Sequence, residues 1–186
     1  LRDRLFLFLP GIFLAADLGS WHLSLHMTSV ANATLFANLA PVFVTLGSSL
    51  LFRTTITPVF LAGLALALIG VVVLKGGPAA LGGGQMAGDA TAVVAAMFYA
   101  GYMLSIGHLR ARFSTSRIMV WTTFAAMTCM LPVAFFLEAD LVPATLFGWG
   151  MLLGLALISH VGGQGLVTYA LAYLPTAFSS LTLLLQ

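Results

Sequence analysis

Seven apolar stretches separated by short polar breaks organise this chain, at residues 5–28, 32–52, 58–74, 91–109, 118–137, 146–174 and 176–186. The first six each hold about 17 residues or more, enough for a helix to cross a ~30 Å hydrocarbon core, and the sixth is long enough to tilt or bend. The seventh stops inside its apolar run. No period-two alternation marks a transmembrane barrel. Charged residues make up 6% of the chain and hydrophobic ones 61%. An ordinary soluble domain carries roughly 25% charged residues, so a water-facing surface is not available to this sequence. The expected class is an all-α integral membrane protein, a multi-span helical bundle.

Helix punctuation agrees with these limits. Asn32 is placed to cap the second span, Thr57 followed by Pro58 to open the third, and Ser116 to precede the fifth. Pro41 and Pro132 mark kink positions that neighbouring helices in a membrane can tolerate. The basic residues fix an orientation. With the residue 1 end cytoplasmic, Arg2, Arg4, Arg53, Arg110, Arg112 and Arg117 all face inward and only Lys75 lies outside. Glu138 and Asp140 then lie on the outer side. A net charge of +2 without any basic tract gives no argument for nucleic acid. The single Cys129, within an apolar run, excludes a disulfide framework and reads as a packing residue. The chain opens on Leu1, lacks the layout of a cleavable signal peptide and ends in an apolar stretch, so it is expected to be part of a longer protein.

Residues 76–88 carry six glycines and one proline and form the natural division between two halves. Across it, at an offset of 146, Gly19, Leu25, Ala31, Leu35 and Leu39 align with Gly165, Leu171, Ala177, Leu181 and Leu185. The alignment pairs the end of the first span and the start of the second with the same features of the sixth and seventh. An offset of five spans reverses direction in the membrane, the arrangement of inverted-repeat transporters.

The segment Thr28-Ser-Val-Ala-Asn-Ala-Thr-Leu-Phe-Ala-Asn-Leu-Ala-Pro41, followed by Gly63-Leu-Ala-Leu-Ala-Leu-Ile-Gly-Val-Val-Val-Leu74, resembles the EamA-type domain of the drug/metabolite transporter superfamily. Gly88-Asp89 at the fourth span and Tyr169-Ala-Leu-Ala-Tyr-Leu-Pro-Thr-Ala177 are similar to it too. The resemblance implies ten helices in two inverted five-helix repeats. Residues 1–75 would then be the last three helices of the first repeat, residues 76–88 a linker, and residues 89–186 the first part of the second repeat. It also implies a permease in the cell (inner) membrane, expected to export a small metabolite such as an amino acid. One departure is Arg53, which stands where the family often places a glutamate.

Several polar residues inside the spans are candidates for contact with a solute. Asp17 is the foremost, because a carboxylate near the centre of a span costs about 2.5 to 3.5 kcal/mol on insertion scales and faces a cavity or a partner. Substrate-amine recognition, proton coupling and a structural pairing are all open to it. Asp17, Trp21, Ser24 and Thr28 share a helical stripe. His22 and His26 lie one turn apart on an adjacent face. No carboxylate follows His22 as a metalloprotease motif requires, so interfacial packing is the expectation, with a pH-sensitive or substrate-contacting role and, behind it, metal binding as the alternatives. Asn38 serves either as helix glue or as a ligand contact. Tyr99 and Tyr102 share one side of the fourth span, and core packing competes with solute binding there. His160 and Gln164, beside Gly162, Gly163 and Gly165, form a second cluster. Close helix packing is the expectation for Gly150-x-x-x-Gly154 and for the Gly63, Ala67, Gly70 ridge.

No hydrolase, zinc-protease or nucleotide-loop motif is present, which leaves a membrane enzyme a distant alternative and a channel or structural membrane protein a nearer one. No cofactor is expected. The expected partners are a small solute and the bilayer; proton coupling and facilitated exchange are equally open, as is homodimer formation.

Overall fold

The computed structural model describes residues 6–74, 86–137 and 142–182. Its elements are α1 (Leu9–Met27), α2 (Val30–Ala37), α3 (Ala40–Phe52), α4 (Pro58–Leu74), α5 (Met86–Arg110), α6 (Thr115–Leu137) and α7 (Leu146–Gly154). A π-helical segment (Leu155–Gln164), α8 (Gly165–Ala170) and α9 (Thr176–Thr182) complete them. Among the described residues there is no strand. Val30–Phe52, Met86–Arg110, Thr115–Phe136 and Leu146–Ala170 are each long and apolar enough to cross a membrane. The fold is a multi-span helical membrane bundle. α1 is not among those four, because Asp17, His22 and His26 dilute its apolar character.

Local chemistry sets the boundaries. Pro10 sits in the first turn of α1, where its missing N–H costs nothing. The chain leaves α1 at Thr28 in an extended conformation, and Ser29 rather than Asn32 caps the next helix, its hydroxyl accepting from the Asn32 N–H at 3.1 Å. The Asn32 side chain is instead buried, with Nδ2 unpartnered among the described residues. The second span is interrupted at Asn38 and Leu39, between α2 and α3. Pro41 cannot donate to the Ala37 carbonyl and its ring crowds that oxygen, which accounts for the break. α6, by contrast, runs through Pro132 without interruption.

Thr57 opens α4 as expected, accepting from the Phe60 N–H at 3.2 Å. Ser116 lies within the first turn of α6, which begins one residue earlier at Thr115. α5 begins at Met86, so the last three residues of the glycine-rich connection are helical, and residues 75–85 lie outside the described residues together with Glu138 and Asp140. Of the basic residues, Arg2, Arg4 and Lys75 also lie outside them. Cys129 is exposed on α6 rather than packed.

The core is built around α5, which packs on α1, α2 and α3, while α6 covers the other side of α1. Small residues let these helices approach. Ala92, Ala95 and Ala96 are buried on α5, Gly101 meets the Phe13 ring, and Gly11 lies against the Thr122 carbonyl of α6. Without a strong hydrophobic drive between helices in lipid, such close van der Waals contact is the main source of association. Tyr102, Met103 and Ile106 fill the centre with Val44 and Ile118. Among the described residues, the two glycine ridges expected to pack do not. A Cβ added at Gly63, Gly70, Gly150 or Gly154 would meet open space, because α4 and α7 hold most of their length away from the bundle.

Candidate functional site

Four of the polar residues of the spans, Asp17, Tyr99, Tyr102 and Gln164, are grouped on α1, α5 and the π-helical segment. Asp17, on α1, is half-buried and lies within Coulombic reach of Tyr99 and Tyr102 on α5. The two phenol rings are 5.7 Å apart at 37°. Three residues apart on one helix, they were bound to share a side. Tyr102 is fully buried, and its hydroxyl donates to Oε1 of Gln164 at 3.2 Å. That bond joins α5 to the C-terminal end of the π-helical segment.

The π-helical geometry is a feature of the structure that the sequence did not announce. It covers His160, Gly162, Gly163 and Gln164, where the widened i→i+5 pattern concentrates at functional sites in other proteins. A Cβ added at Gly162 or Gly163 would meet only carbonyls of their own segment, Leu157 and Ile158, at ordinary contact distance, so the geometry does not depend on their being glycine. His160 Nε2 pairs with Oγ1 of Thr123 on α6 at 2.8 Å. Two turns beyond Tyr102 on α5, Arg110 donates through Nε to the Thr168 carbonyl at 3.0 Å and through Nη1 to the Phe113 carbonyl, holding α8 to the end of α5.

The remaining candidates are placed elsewhere. Trp21 is exposed on α1, while further along its stripe Ser24 is buried and donates to the Trp21 carbonyl at 2.7 Å. Thr28 donates to Asp89 at the start of α5. His22 and His26 are exposed and face each other, not Asp17's phenol partners. Asn38 ends α2, its N–H shared between the Thr34 and Phe36 carbonyls, so its established part is in the helix break.

A second feature escaped the sequence reading. A cleft of about 780 Å³ opens where α3, α5 and α9 meet, lined by Thr45, Ser48, Thr54, Thr55, Thr57 and Thr176 among apolar residues such as Leu171 and Phe178. His108 borders it, stacked on Phe52 with ring centroids 5.7 Å apart. The clue was the recurrence of hydroxyl residues at the ends of three spans, which as a sequence is indistinguishable from ordinary capping. His108 is six residues beyond Tyr102 on α5, about 9 Å along the axis at 1.5 Å per residue, so cleft and buried cluster lie in succession along one helix. Phenol, carboxamide, carboxylate and hydroxyl groups of this kind can bind a polar solute through hydrogen bonds and charge.

Compared with known proteins, residues 1–75 match the model of the EamA-like transporter family, a family of membrane transporters. The stretches at Thr28 to Pro41 and Gly63 to Leu74 fall inside that match, and Gly88-Asp89 and Tyr169 to Ala177 lie beyond it. No curated protein matches the chain.

Proposed function

We propose that this protein is a permease that moves a small polar metabolite, an amino acid being the foremost class, across the cell (inner) membrane by alternating access. The observation that carries the reading is the convergence of Asp17, Tyr102 and Gln164 from three different elements inside an apolar bundle. A carboxylate kept in a membrane interior at a cost of about 2.5 to 3.5 kcal/mol calls for a role, and beside two aromatic rings it suits a substrate ammonium. The hydroxyl-lined cleft lies at the bundle's end, further along the helix that carries Tyr99 and Tyr102, and is taken in this reading as the entrance toward that cluster.

The cleft is formed by the ends of α3 and α5, the same ends that carry Arg53, Arg110 and Arg112. A cytoplasmic position for those arginines makes the cleft the inward mouth, with the residue 1 end on the same side. Residues 1–75 and 89–186 act in this reading as inverted halves that rock about the cluster, and the π-helical segment is the element able to change its helical pattern as they do. Export, the direction the family resemblance implies, would have this inward mouth load solute from the cytoplasm. Asp17 and His160 are the groups placed to carry a coupling proton.

Uptake into proteoliposomes tests the proposal, using amino acids, nucleosides and sugar phosphates with and without an imposed pH gradient. Saturable movement of one class supports a carrier, and its response to the gradient separates coupled from facilitated transport. Non-saturable flux would favour a channel. An Asp17→Asn protein that kept full rate and pH profile would remove Asp17 from the mechanism.

A further inference from the structure

The geometry points to a divalent transition-metal site on the C-terminal end of α1, formed by Nε2 of His22 and Nε2 of His26. The two atoms are 3.3 Å apart, with ring centroids 4.9 Å apart and planes at 78°. Two nitrogens bound to a tetrahedral Zn²⁺ at about 2.0 to 2.1 Å stand about 3.3 to 3.4 Å from each other, so the pair already has the bite of a chelate. In the metal-free pair the same separation is that of a hydrogen bond, one imidazole N–H donating to the other ring's Nε2, so a metal would take the place of the shared proton. Both imidazoles are exposed, and the i, i+4 spacing on a continuous helix holds them together without an ordering step on binding.

Ligand type sets the metal class. Imidazole nitrogen suits Zn²⁺, Cu²⁺ and Ni²⁺, whereas Mg²⁺ and Ca²⁺ require oxygen. Among the described residues no third His, Cys, Asp or Glu completes a set. Within the described residues the pair alone supplies ligands, the arrangement of an exchangeable site rather than of a closed structural one. The other histidines differ in circumstance: His160 is engaged by Thr123 and His108 is stacked on Phe52. They provide internal controls.

The site is independent of the transport reading, because its test reads metal binding alone. The protein, purified without a polyhistidine tag and held in nanodiscs, is titrated with Zn²⁺ against a chromogenic chelator. One saturable equivalent per chain is expected. His22→Ala and His26→Ala should each weaken it by at least roughly tenfold, as loss of half of a two-ligand set implies. His108→Ala and His160→Ala should leave it unchanged. Absence of saturable Zn²⁺ binding in the wild type overturns the proposal, as does an affinity that both His22→Ala and His26→Ala retain. A second measurement needs no variant: Co²⁺ should give a nitrogen-ligated visible spectrum that Zn²⁺ abolishes, and a spectrum identical to Co²⁺ in buffer counts against the site.

Discussion

The Thr28 hydroxyl donates to the Asp89 carboxylate at 2.6 Å, tying the end of α1 to the first turn of the helix that begins after the glycine-rich connection. The carboxylate also sits where a helix N-terminus favours negative charge. Thr28→Val should therefore lower stability by about 1 to 2 kcal/mol, while Thr28→Ser keeps the donor and most of the stability. Thermal unfolding in detergent measures both. A Thr28→Val protein as stable as the wild type, beside a loss in Thr28→Ser, would show that the bond contributes nothing and that only the methyl packing matters.

The same junction makes Gly88 the most restrictive glycine of its region. A Cβ there would come within 2.7 Å of the Met27 carbonyl carbon and 2.8 Å of its oxygen, backbone atoms that cannot rotate away. Gly88→Ala should destabilise by about 1 to 3 kcal/mol through overpacking. Gly63→Ala and Gly150→Ala, which meet open space, should be neutral or slightly stabilising through helix propensity. The contrast is read as a Tm difference among the three variants, and equal shifts would refute it.

Arg53 closes α3 in the left-handed conformation, with φ 52° and ψ 34°. A side chain in this region costs about 1 kcal/mol or more, which glycine avoids. Arg53→Gly is expected to raise stability by up to about 1 kcal/mol, since Arg53 forms no ion pair among the described residues that the change would remove. A Tm below that of the wild type would mean that the guanidinium has a stabilising role at the mouth of the cleft.

Spans and their polar exceptions were legible because length and charge are local properties. Asp17, Tyr99, Tyr102 and Gln164 stand out in apolar surroundings whatever the tertiary structure, and Thr57-Pro58 declares its turn chemistry directly. The cap at Ser29 was less visible, since Ser29 and Asn32 are both good capping residues and only the packing that buries Asn32 decides between them. The glycine ridges failed for a related reason. Spacing shows that two helices are able to approach at Gly63 and Gly70 but not that a helix is there to do so. Neither the π-helical segment nor the cleft has a local signature, since each arises from how the spans are stacked.

The Tyr102 to Gln164 bond allows a direct separation of stability from transport. Interhelical hydrogen bonds in membranes contribute about 0.6 kcal/mol on average and up to about 1.7. Tyr102→Phe and Gln164→Leu should each cost little, and a double-mutant cycle on unfolding should return a coupling within that range. Transport is expected to fall far more than stability in both single variants, seen as a raised KM in proteoliposomes. A loss of transport that only follows the loss of folded protein would reduce the pair to a structural contact.

Ala111 lines the cleft yet is exposed, so a large side chain can be added there without opening or overfilling the core. A tryptophan at this position occupies a substantial part of a cavity of about 780 Å³ and approaches the Thr54 and Thr176 hydroxyls that border it. Because the residue contributes little to packing, Ala111→Trp should unfold within about 0.5 kcal/mol of the wild type. Solute uptake should drop by roughly tenfold or more if the cleft is the inward route, since each 1.4 kcal/mol added to the barrier costs a factor of ten. Ala111→Ser keeps the passage open and is expected to transport normally. Unimpaired uptake by the tryptophan variant would place the route elsewhere in the bundle and leave the buried Asp17 cluster without the cleft as its entrance.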